Sequence, residues 1–317
     1  MLCGSVAPNF RNSEQACLMI TVLGSINMDL VATTERLPEP GETVAGSSFA
    51  TAAGGKGANQ ALAARRAGSV VRMAGAVGED GFASPALALL DDAGVHLSLV
   101  NRSSEPTGTA LILVGGTGEN MIAVVPGANG TVSEAQALDA VGEMQAGDIL
   151  MLQLEIPAAS VEAALLEAKS KGLMTLINTA PLTPDAARLA RLADVVVANE
   201  TEFELLIGKP GLDRASRKTA LRDLHAETGQ TLVVTLGGDG VIAIRDGELF
   251  TASGLSIEPV DTVGAGDTFC GYLAASLEQG LDFGSALRRA AVAGSLACLT
   301  RGAQPSIPLA AAVDAKI

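Results

Sequence analysis

The sequence contains no tryptophan, and aromatic residues make up only 3% of its 317 residues. Proteins that hold single-stranded nucleic acid rely on stacking of bases on aromatic side chains, which this composition cannot supply over an extended surface. Basic residues are also few, 21 against 35 acidic ones, so the formal net charge is −14. Because an acidic chain without a Lys/Arg cluster repels a polyanion, we expect no nucleic-acid partner. Local backbone amides and a metal ion could still bind a small phosphate ligand.

Cysteine, histidine and long apolar runs are scarce as well. None of the four cysteines is spaced as CxxC, which indicates neither a zinc site nor a disulfide framework, and we expect a cytoplasmic location. With only two histidines, an enzyme of this sequence would use a carboxylate as its general base. No apolar run reaches the roughly 18 residues of a membrane span, so no membrane partner is expected. Residues 1–18 lack the basic start and apolar core of a secretory signal and are interpreted as an N-terminal extension, with a targeting role left open.

Residues 19–317 are predicted to form one α/β domain, because continuous apolar runs alternate with Ala/Leu-rich helical stretches. Such runs are typical of strands buried on both faces of a parallel sheet. We therefore predict three layers, α/β/α, around a mostly parallel central sheet. The predicted strands are 19–24, 70–78, 148–153, 173–180, 194–200 and 231–237. The predicted helices are 57–67, 83–93, 133–145, 158–171, 184–192, 201–206, 214–228, 266–279 and 283–299.

Two segments interrupt this alternation and predict a small additional sheet. Residues 31–52 and 107–125 read as short strands separated by Pro/Gly turns, and the second resembles a hairpin that turns at Gly115–Asn120. If the two segments pair, they form a small β-sheet lid. An extension of the edge of the main sheet is the alternative.

The stretch DTVGAGDT, residues 261–268, places a glycine turn before a predicted helix. Gly264, Ala265 and Gly266 leave backbone N–H groups unobstructed at a helix N-terminus, where phosphoryl oxygens bind favourably. Asp267 could accept the proton of a substrate hydroxyl, and phosphoryl transfer needs both parts together. The octapeptide alone is equally consistent with an Asp N-cap on a glycine-rich turn.

Two further motifs offer groups suited to a sugar. GGKGANQA leads into a helix, and its Lys56 and Asn59 are donors for sugar hydroxyls, although a helix cap with an exposed lysine explains it too. GSINMD follows the first strand, and its Asn27 and Asp29 could hold vicinal hydroxyls or form an ordinary Asx turn.

Three more motifs follow predicted strands, where ligands of open α/β sheets bind. Glu155 in QLE is a surface charge unless another feature points to it. Asn199 and Glu202 in NETE could hold a hydrated Mg²⁺, or form a capping box. TLGGDG, which begins at Thr235, suits a nucleotide phosphate or a tight hairpin turn.

The joint occurrence of these motifs resembles the ribokinase-like carbohydrate kinases from about Ile20 to Ser306. The two signatures are GGKGANQALAARRAG and DTVGAGDTFCG, and LGSINMD, PGETV, GENMIAVVPGAN, MLQLE, NETE, VTLGGDG and RGAQPSIP point to the ribose-specific members. The resemblance implies a homodimer paired through the lids. It also implies an enzyme that uses ATP and Mg²⁺, with K⁺ as activator, to phosphorylate the 5-hydroxyl of D-ribose.

The resemblance also implies roles for individual residues. Asp267 is the general base, and Gly264, Ala265 and Gly266 form the anion hole. The ribose-binding residues are Asn27, Asp29, Gly55, Lys56, Asn59, Glu155 and Asp267. The nucleotide-binding residues are Asn199, Thr235, Gly237, Gly240, Gly266 and Ala291. Glu202 acts on Mg²⁺ through water, and the monovalent cation is held by Asp261, Val263, Ala297, Thr300, Gly302 and Ser306.

Two residues depart from the family pattern. Tyr272 stands where Ala or Gly is usual, which would shift helix packing slightly, and Ala291 stands where some members have a polar residue near the adenine. The alternative functions are a kinase for deoxyribose, another pentose or a nucleoside, and a sugar- or nucleotide-sensing pseudokinase. An NAD-binding protein is disfavoured, because GSINMD does not supply G-x-G-x-x-G after the first strand.

Overall fold

The structure of the protein is a computed structural model in which residues 18–317 are described. The predicted N-terminal extension, apart from Leu18, lies outside the described residues, as do Cys3 and Cys17. Within residues 18–317, no helix combines the length and the apolar character that crossing a membrane requires.

Thirteen strands are present in residues 18–317. In chain order they are β1 (Met19–Leu23), β2 (Asn27–Thr34), β3 (Gly46–Gly54), β4 (Val70–Gly78), β5 (His96–Ser103), β6 (Gly108–Val114), β7 (Asn120–Val125), β8 (Ile149–Leu152), β9 (Met174–Asn178), β10 (Val195–Asn199), β11 (Thr231–Thr235), β12 (Val241–Arg245) and β13 (Glu248–Ala252).

Nine of these strands form one large sheet in the order β13-β12-β11-β10-β9-β8-β1-β4-β5. The strands from β11 to β5 pair in parallel, whereas β12 and β13 join the β11 edge antiparallel. The central strands β1 and β8 are almost wholly buried, as continuous apolar runs require. The mostly parallel sheet predicted from the sequence is confirmed.

Helices cover both faces of the large sheet, so the three-layer prediction is also confirmed. The helices are α1 (Lys56–Arg66), α2 (Ala83–Asp92), α3 (Glu134–Gly142), α4 (Ala158–Ser170), α5 (Ala186–Ala190), α6 (Glu200–Leu206), α7 (Arg214–Thr228), α8 (Ala265–Glu278), α9 (Phe283–Ala297), α10 (Ala303–Ser306) and α11 (Ala310–Asp314). One apolar core joins α1, α2, α8 and α9 to the sheet, and a second joins α3 to α7 to its other face.

The remaining four strands form the small sheet, in the order β3-β2-β6-β7. Both interrupting segments contribute to it: β2 pairs antiparallel with β3 and parallel with β6, and β6 forms a hairpin with β7. It is a sheet separate from the large one, so the alternative of an edge extension is wrong. Its action as a lid stays a prediction.

Three strands of the large sheet were missed by the sequence analysis. β5 and β13 are edge strands with polar, partly exposed residues, so they lack the continuous apolar run that marks the others. β12 and β13 form a hairpin through Asp246 and Gly247, both at positive φ (51° and 79°). An Asp-Gly pair between two strands is a recognised hairpin signal.

Candidate active site

The candidate active site lies at the carboxyl ends of β1, β8, β10 and β11, where polar residues follow the buried strands. Helix α1 approaches this edge closely: a Cβ on Gly57 would lie 2.6 Å from the backbone carbon of Gly24, just after β1. Gly55 precedes the helix with φ 88°, a conformation that glycine adopts without strain. The side chains of the first turns of α1 are thereby placed beside the strand ends.

Asp267 is in the first turn of α8 and is 7% exposed. Its carboxylate contacts α1: Asn59 Nδ2 donates to Oδ2 at 2.9 Å, and Gln60 Nε2 donates to Oδ1 at 3.1 Å. The two family signatures, 207 and 208 residues apart at these contacts, therefore meet in one cluster.

The start of α8 has no side-chain cap. Its N-cap residue is Gly264, at φ 77°, and Asp267 turns toward α1 instead of capping its own helix, so the N-cap interpretation of Asp267 is wrong. A Cβ on Gly266 would meet no atom within 4 Å, which means that this turn borders open space. The Ala265 N–H bonds to the Thr262 carbonyl at 3.3 Å, whereas the Gly266 N–H at the open turn can bind an anion beside the Asp267 carboxylate.

Three more charged groups surround Asp267. Burial, then the charges of Glu155 and Asp267, raise the pKa of Asp29 to about 6. The charge of Asp267, followed by that of Glu155 and more weakly Glu202, outweighs burial and raises the pKa of Lys56. Glu155 Oε2 accepts hydrogen bonds from the Ser25 hydroxyl and, at 3.1 Å, from the backbone N–H of Lys56. Glu155 is thus part of the cluster rather than an isolated surface charge.

The amide of Asn27 is oriented by a residue that the sequence analysis missed, Asn129, which is 1% exposed. Asn129 Oδ1 accepts from the Ile26 N–H at 2.9 Å, and its Nδ2 donates to Asn27 Oδ1 at 2.7 Å. Because a backbone N–H can only donate, it fixes the Asn129 amide, and Asn129 in turn fixes Asn27. The amino group of Asn27 is left to donate to a ligand.

A pocket of about 600 Å³ adjoins the uncapped start of α8. All six residues predicted to bind the nucleotide line it: Asn199, Thr235, Gly237, Gly240, Gly266 and Ala291. The residues Gly237–Asp239 form a single 3₁₀ turn that connects the antiparallel strands β11 and β12. TLGGDG is therefore both a strand connection and a wall of the pocket.

Glu202 and Asn199 form a capping box at the start of α6. Asn199 Oδ1 accepts from the Glu202 N–H, and Glu202 Oε2 accepts from the Asn199 N–H, both at 2.8 Å. These bonds leave Glu202 Oε1 outside the pair. An oxygen of this kind suits a hydrated Mg²⁺, so the capping interpretation is confirmed and the magnesium role stays a prediction.

The residues predicted to hold a monovalent cation lie in three neighbouring segments. Asp261 joins two of them: Oδ1 accepts from the Val263 N–H at 3.0 Å and Oδ2 from the Gly302 N–H at 2.8 Å. The backbone N–H of Asp261 bonds to the carbonyl of Cys298, next to Ala297. Thr300 N–H bonds to the Ala297 carbonyl, and the Ser306 hydroxyl to the Ala303 carbonyl. Oxygen donors of this type suit a hard cation, and the cation site stays a prediction.

Tyr272, which departs from the family pattern, is fully buried. Its hydroxyl donates to the Pro308 carbonyl at 2.9 Å, and the Arg289 guanidinium lies 5.4 Å from the ring centroid. The ring packs toward the C-terminal segment. On the α1 side, the neighbouring Gly271 lets the two helices touch, since a Cβ there would lie 2.5 Å from the Ala63 Cβ.

Comparisons with known proteins show which family the chain resembles over most of its length. The profile of the pfkB family carbohydrate kinases matches residues 18–310. The ribokinase of Haemophilus influenzae is 36% identical over 290 residues, which is 91% of this chain and 95% of that protein. The deoxyribokinase of Salmonella typhi is 32% identical over 292 residues, with 91% and 95% covered. The structure of Arabidopsis thaliana ribokinase complexed with ribose and ATP superposes with a TM-score of 0.85 at 33% identity, covering 95% of this chain and 98% of that one.

Proposed function

The chain belongs to the pfkB family of carbohydrate kinases, and we propose that it transfers the γ-phosphoryl group of ATP to the 5-hydroxyl of D-ribose. One observation carries the proposal: the buried carboxylate of Asp267, held by Asn59 and Gln60, lies beside the uncapped start of α8. A base and an anion-binding turn in contact are the two parts that phosphoryl transfer to an alcohol requires.

The sugar would occupy the cluster between α1 and the strand ends. Asp29 and Glu155 supply oxygens that accept hydrogen bonds from sugar hydroxyls, while Lys56 and the amino group of Asn27 donate. Asn59 Oδ1 is buried and lacks a protein partner, so it can accept a further hydrogen bond from a hydroxyl. The backbone of Gly55 completes the predicted set.

In the proposed reaction Asp267 takes the proton of the 5-hydroxyl as that oxygen forms its bond to the γ-phosphorus. The bond from the γ-phosphorus to the β,γ-bridging oxygen breaks, and ADP leaves with that oxygen. The N–H groups of Gly264, Ala265 and Gly266 hold the equatorial phosphoryl oxygens while charge is redistributed over them.

The nucleotide would lie in the 600 Å³ pocket, with its phosphates toward α8. Asn199, Thr235, Gly237 and Gly240 line one side, and Ala291 offers a methyl group where a polar residue would add a hydrogen bond. Mg²⁺, when bound through water to Glu202, would neutralise phosphate charge.

A monovalent cation would be held by the Asp261 carboxylate with oxygens from Val263, Ala297, Thr300, Gly302 and Ser306. Its charge would add a positive field near the anion-binding turn. The Asp261 bonds to the Val263 and Gly302 amides already tie these loops together, and the ion would reinforce that arrangement.

The small sheet is proposed to act as a lid and to pair two subunits into a homodimer. It exposes several large apolar side chains, among them Phe49, Met121 and Ile122 at 67%, 54% and 55%. Met121 and Ile122 are consecutive in β7 and point to opposite faces, and exposed apolar side chains of this size favour a protein contact that excludes water. A cytoplasmic location stays a prediction.

A kinase for deoxyribose is the alternative that the similarity to a deoxyribokinase keeps open. The amino group of Asn27 favours a pentose with a 2-hydroxyl, because a buried donor left without an acceptor loses binding energy. The two sugars are compared at fixed ATP. A higher kcat/KM for deoxyribose, another pentose or a nucleoside would reassign the substrate.

The central experiment measures ADP release with and without ribose in wild type and Asp267→Asn. We expect the variant to lose several powers of ten in kcat and to retain ATP binding, because it removes the proton acceptor and leaves the pocket intact. Asp282→Asn is the matched control: Asp282 caps α9 through the Ser285 N–H, and asparagine caps nearly as well. Near-normal turnover in Asp267→Asn would remove Asp267 from this role, and no sugar-dependent turnover in wild type would favour a non-catalytic sensor.

A further inference from the structure

A chain of buried amide side chains reaches Asp267 from the interior of the large sheet. Gln60 Nε2 donates to Asp267 Oδ1 at 3.1 Å and to Asn178 Oδ1 at 3.3 Å. Gln60 Oε1 accepts from Gln153 Nε2 at 2.7 Å. Gln60 and Gln153 are wholly buried and Asn178 is 8% exposed, so water does not replace these bonds.

The backbone determines which way each amide points. The carbonyl oxygen of Val197 can only accept, so the Asn178 group that lies 3.2 Å from it is the amino group. Asn178 Oδ1 therefore faces Gln60. Gln60 must present its own amino group to that oxygen and to the Asp267 carboxylate, and its Oε1 to Gln153.

Both amino hydrogens of Gln60 are committed by this arrangement. One is directed at Asn178 and the other at Asp267 Oδ1, while Asn59 covers Oδ2. A proton added to Oδ1 on the Gln60 side would face an N–H group that cannot turn away. The chain of amides thus fixes the orientation of the Asp267 carboxylate and leaves its remaining lone pairs for a substrate hydroxyl.

We propose that Gln60 is a positioning residue that holds the Asp267 carboxylate in the orientation of the base for proton transfer. The inference rests on the proposed function, because it assigns Gln60 a part in the same reaction. It predicts that changes at Gln60 move the pH at which activity is lost on acidification, which general loosening of the core would not do.

The test uses Gln60→Glu and the nearly isosteric Gln60→Met, with kcat measured from pH 5 to 9.5 at saturating ribose and ATP. The acid side of the kcat profile reports the base within the ternary complex. In Gln60→Glu two adjacent carboxylic acids share a proton. The pH at which kcat is half lost on acidification should therefore rise by about one pH unit or more, and kcat should recover at alkaline pH. Gln60→Met should lower kcat at pH 7 by about 10- to 100-fold, the range for losing a hydrogen bond to a charged group. The pH at which its kcat is half lost on acidification should rise less than in Gln60→Glu.

Gln230 provides the matched control, because it is also a buried glutamine and donates to the backbone carbonyls of Ala190 and Ala193. Gln230→Glu and Gln230→Met should lower the melting temperature and leave the kcat profile in place. If folded Gln60→Glu loses half of its kcat on acidification at a pH within about 0.3 unit of the wild-type value, the role of Gln60 is overturned. If circular dichroism shows that Gln60→Glu does not fold, an unmoved profile in Gln60→Met is decisive.

Failure of the inference can be told apart from failure of the proposed function. Wild type that releases no sugar-dependent ADP refutes the function itself. Active wild type combined with unmoved profiles in the Gln60 variants refutes only the positioning role.

Discussion

The ionisation of Asp29 predicts opposite effects of acid on sugar binding and on stability. Burial and the charges of Glu155 and Asp267 raise the pKa of Asp29 from 3.8 to about 6. If the carboxylate accepts hydrogen bonds from sugar hydroxyls, only its ionised form binds well. The apparent Kd for ribose then carries the factor 1 + 10^(pKa − pH), so binding weakens about tenfold between pH 7 and pH 5.

The stability of the sugar-free protein should change in the other direction. The folded pKa of Asp29 lies above its unfolded value, so between these two values the native state holds a proton that the unfolded chain lacks. This contribution is fully present at low pH and is lost as pH rises through about 6. From pH 7 to pH 5 the gain is about 1.3 kcal/mol, or about 2 °C in Tm for a chain of this length.

Calorimetric ribose titrations and thermal unfolding at pH 5, 6, 7 and 8 test both effects, each as the difference between wild type and Asp29→Asn. The variant should bind ribose more weakly, with a Kd that does not change with pH. It should also lack the rise in the free energy of unfolding between pH 7 and pH 5. Glu155→Gln should move the inflection to lower pH, because it removes a charge that raises the pKa. Asp282→Asn should leave both curves unchanged. Identical pH dependence in wild type and Asp29→Asn would refute the assignment.

Three further predictions concern the other parts of the proposed site. Asn129→Asp puts an acceptor opposite Asn27 Oδ1, which should turn that amide and raise KM for ribose about tenfold with less effect on kcat; an unchanged KM would contradict the orientation argument. Replacing K⁺ by Na⁺ should lower kcat severalfold in wild type but not in Asp261→Asn, and indifference of the wild type would argue against the cation site. The double change Met121→Lys and Ile122→Lys should give a monomer by light scattering, and a wild-type monomer would count against pairing through the small sheet.

The layers of the fold could be predicted because burial leaves a local trace in the sequence. Strands covered on both faces, such as β1 and β8, are continuous apolar runs, and the intervening helices carry apolar residues at helical spacing. Edge strands lack that trace, since β5 and β13 are partly exposed. Their place in the sheet follows from pairing with neighbours, which local pattern does not encode.

Residues of the site could be predicted where their local sequence is unusual. They could not be predicted where their role depends only on a contact with a distant part of the chain. Asp267 and Lys56 stand in glycine-rich stretches, which attract attention by composition. Gln60 lies in the motif GGKGANQA and Gln153 in the motif QLE, yet no neighbouring residue identifies either glutamine as part of the site. Their roles arise from hydrogen bonds that span 207 and 93 residues of chain, so the partners cannot be identified before the fold is known.

The N-termini of the helices at the site differ from those elsewhere in the fold, and this difference distinguishes a functional role of Asp267 from a structural one. Helices α7 and α9 are capped by Asp213 and Asp282, each of which accepts a hydrogen bond from its own first turn. Such a cap contributes about 1 kcal/mol. At α1 and α8 the N-cap is a glycine without a side-chain bond, although α8 has an aspartate, Asp267, in its first turn.

Asp267 instead accepts hydrogen bonds from side chains of α1. As a result, α8 has no side-chain cap and the carboxylate is buried. Neither feature stabilises the fold: the start of α8 lacks a capping bond, and the buried carboxylate needs the amides of Asn59 and Gln60 to offset its loss of hydration. A combination that is unfavourable for stability is expected where binding or catalysis needs it. The backbone amides of the glycine turn and the carboxylate of Asp267 are the two groups that a migrating phosphoryl group and a reacting hydroxyl would use.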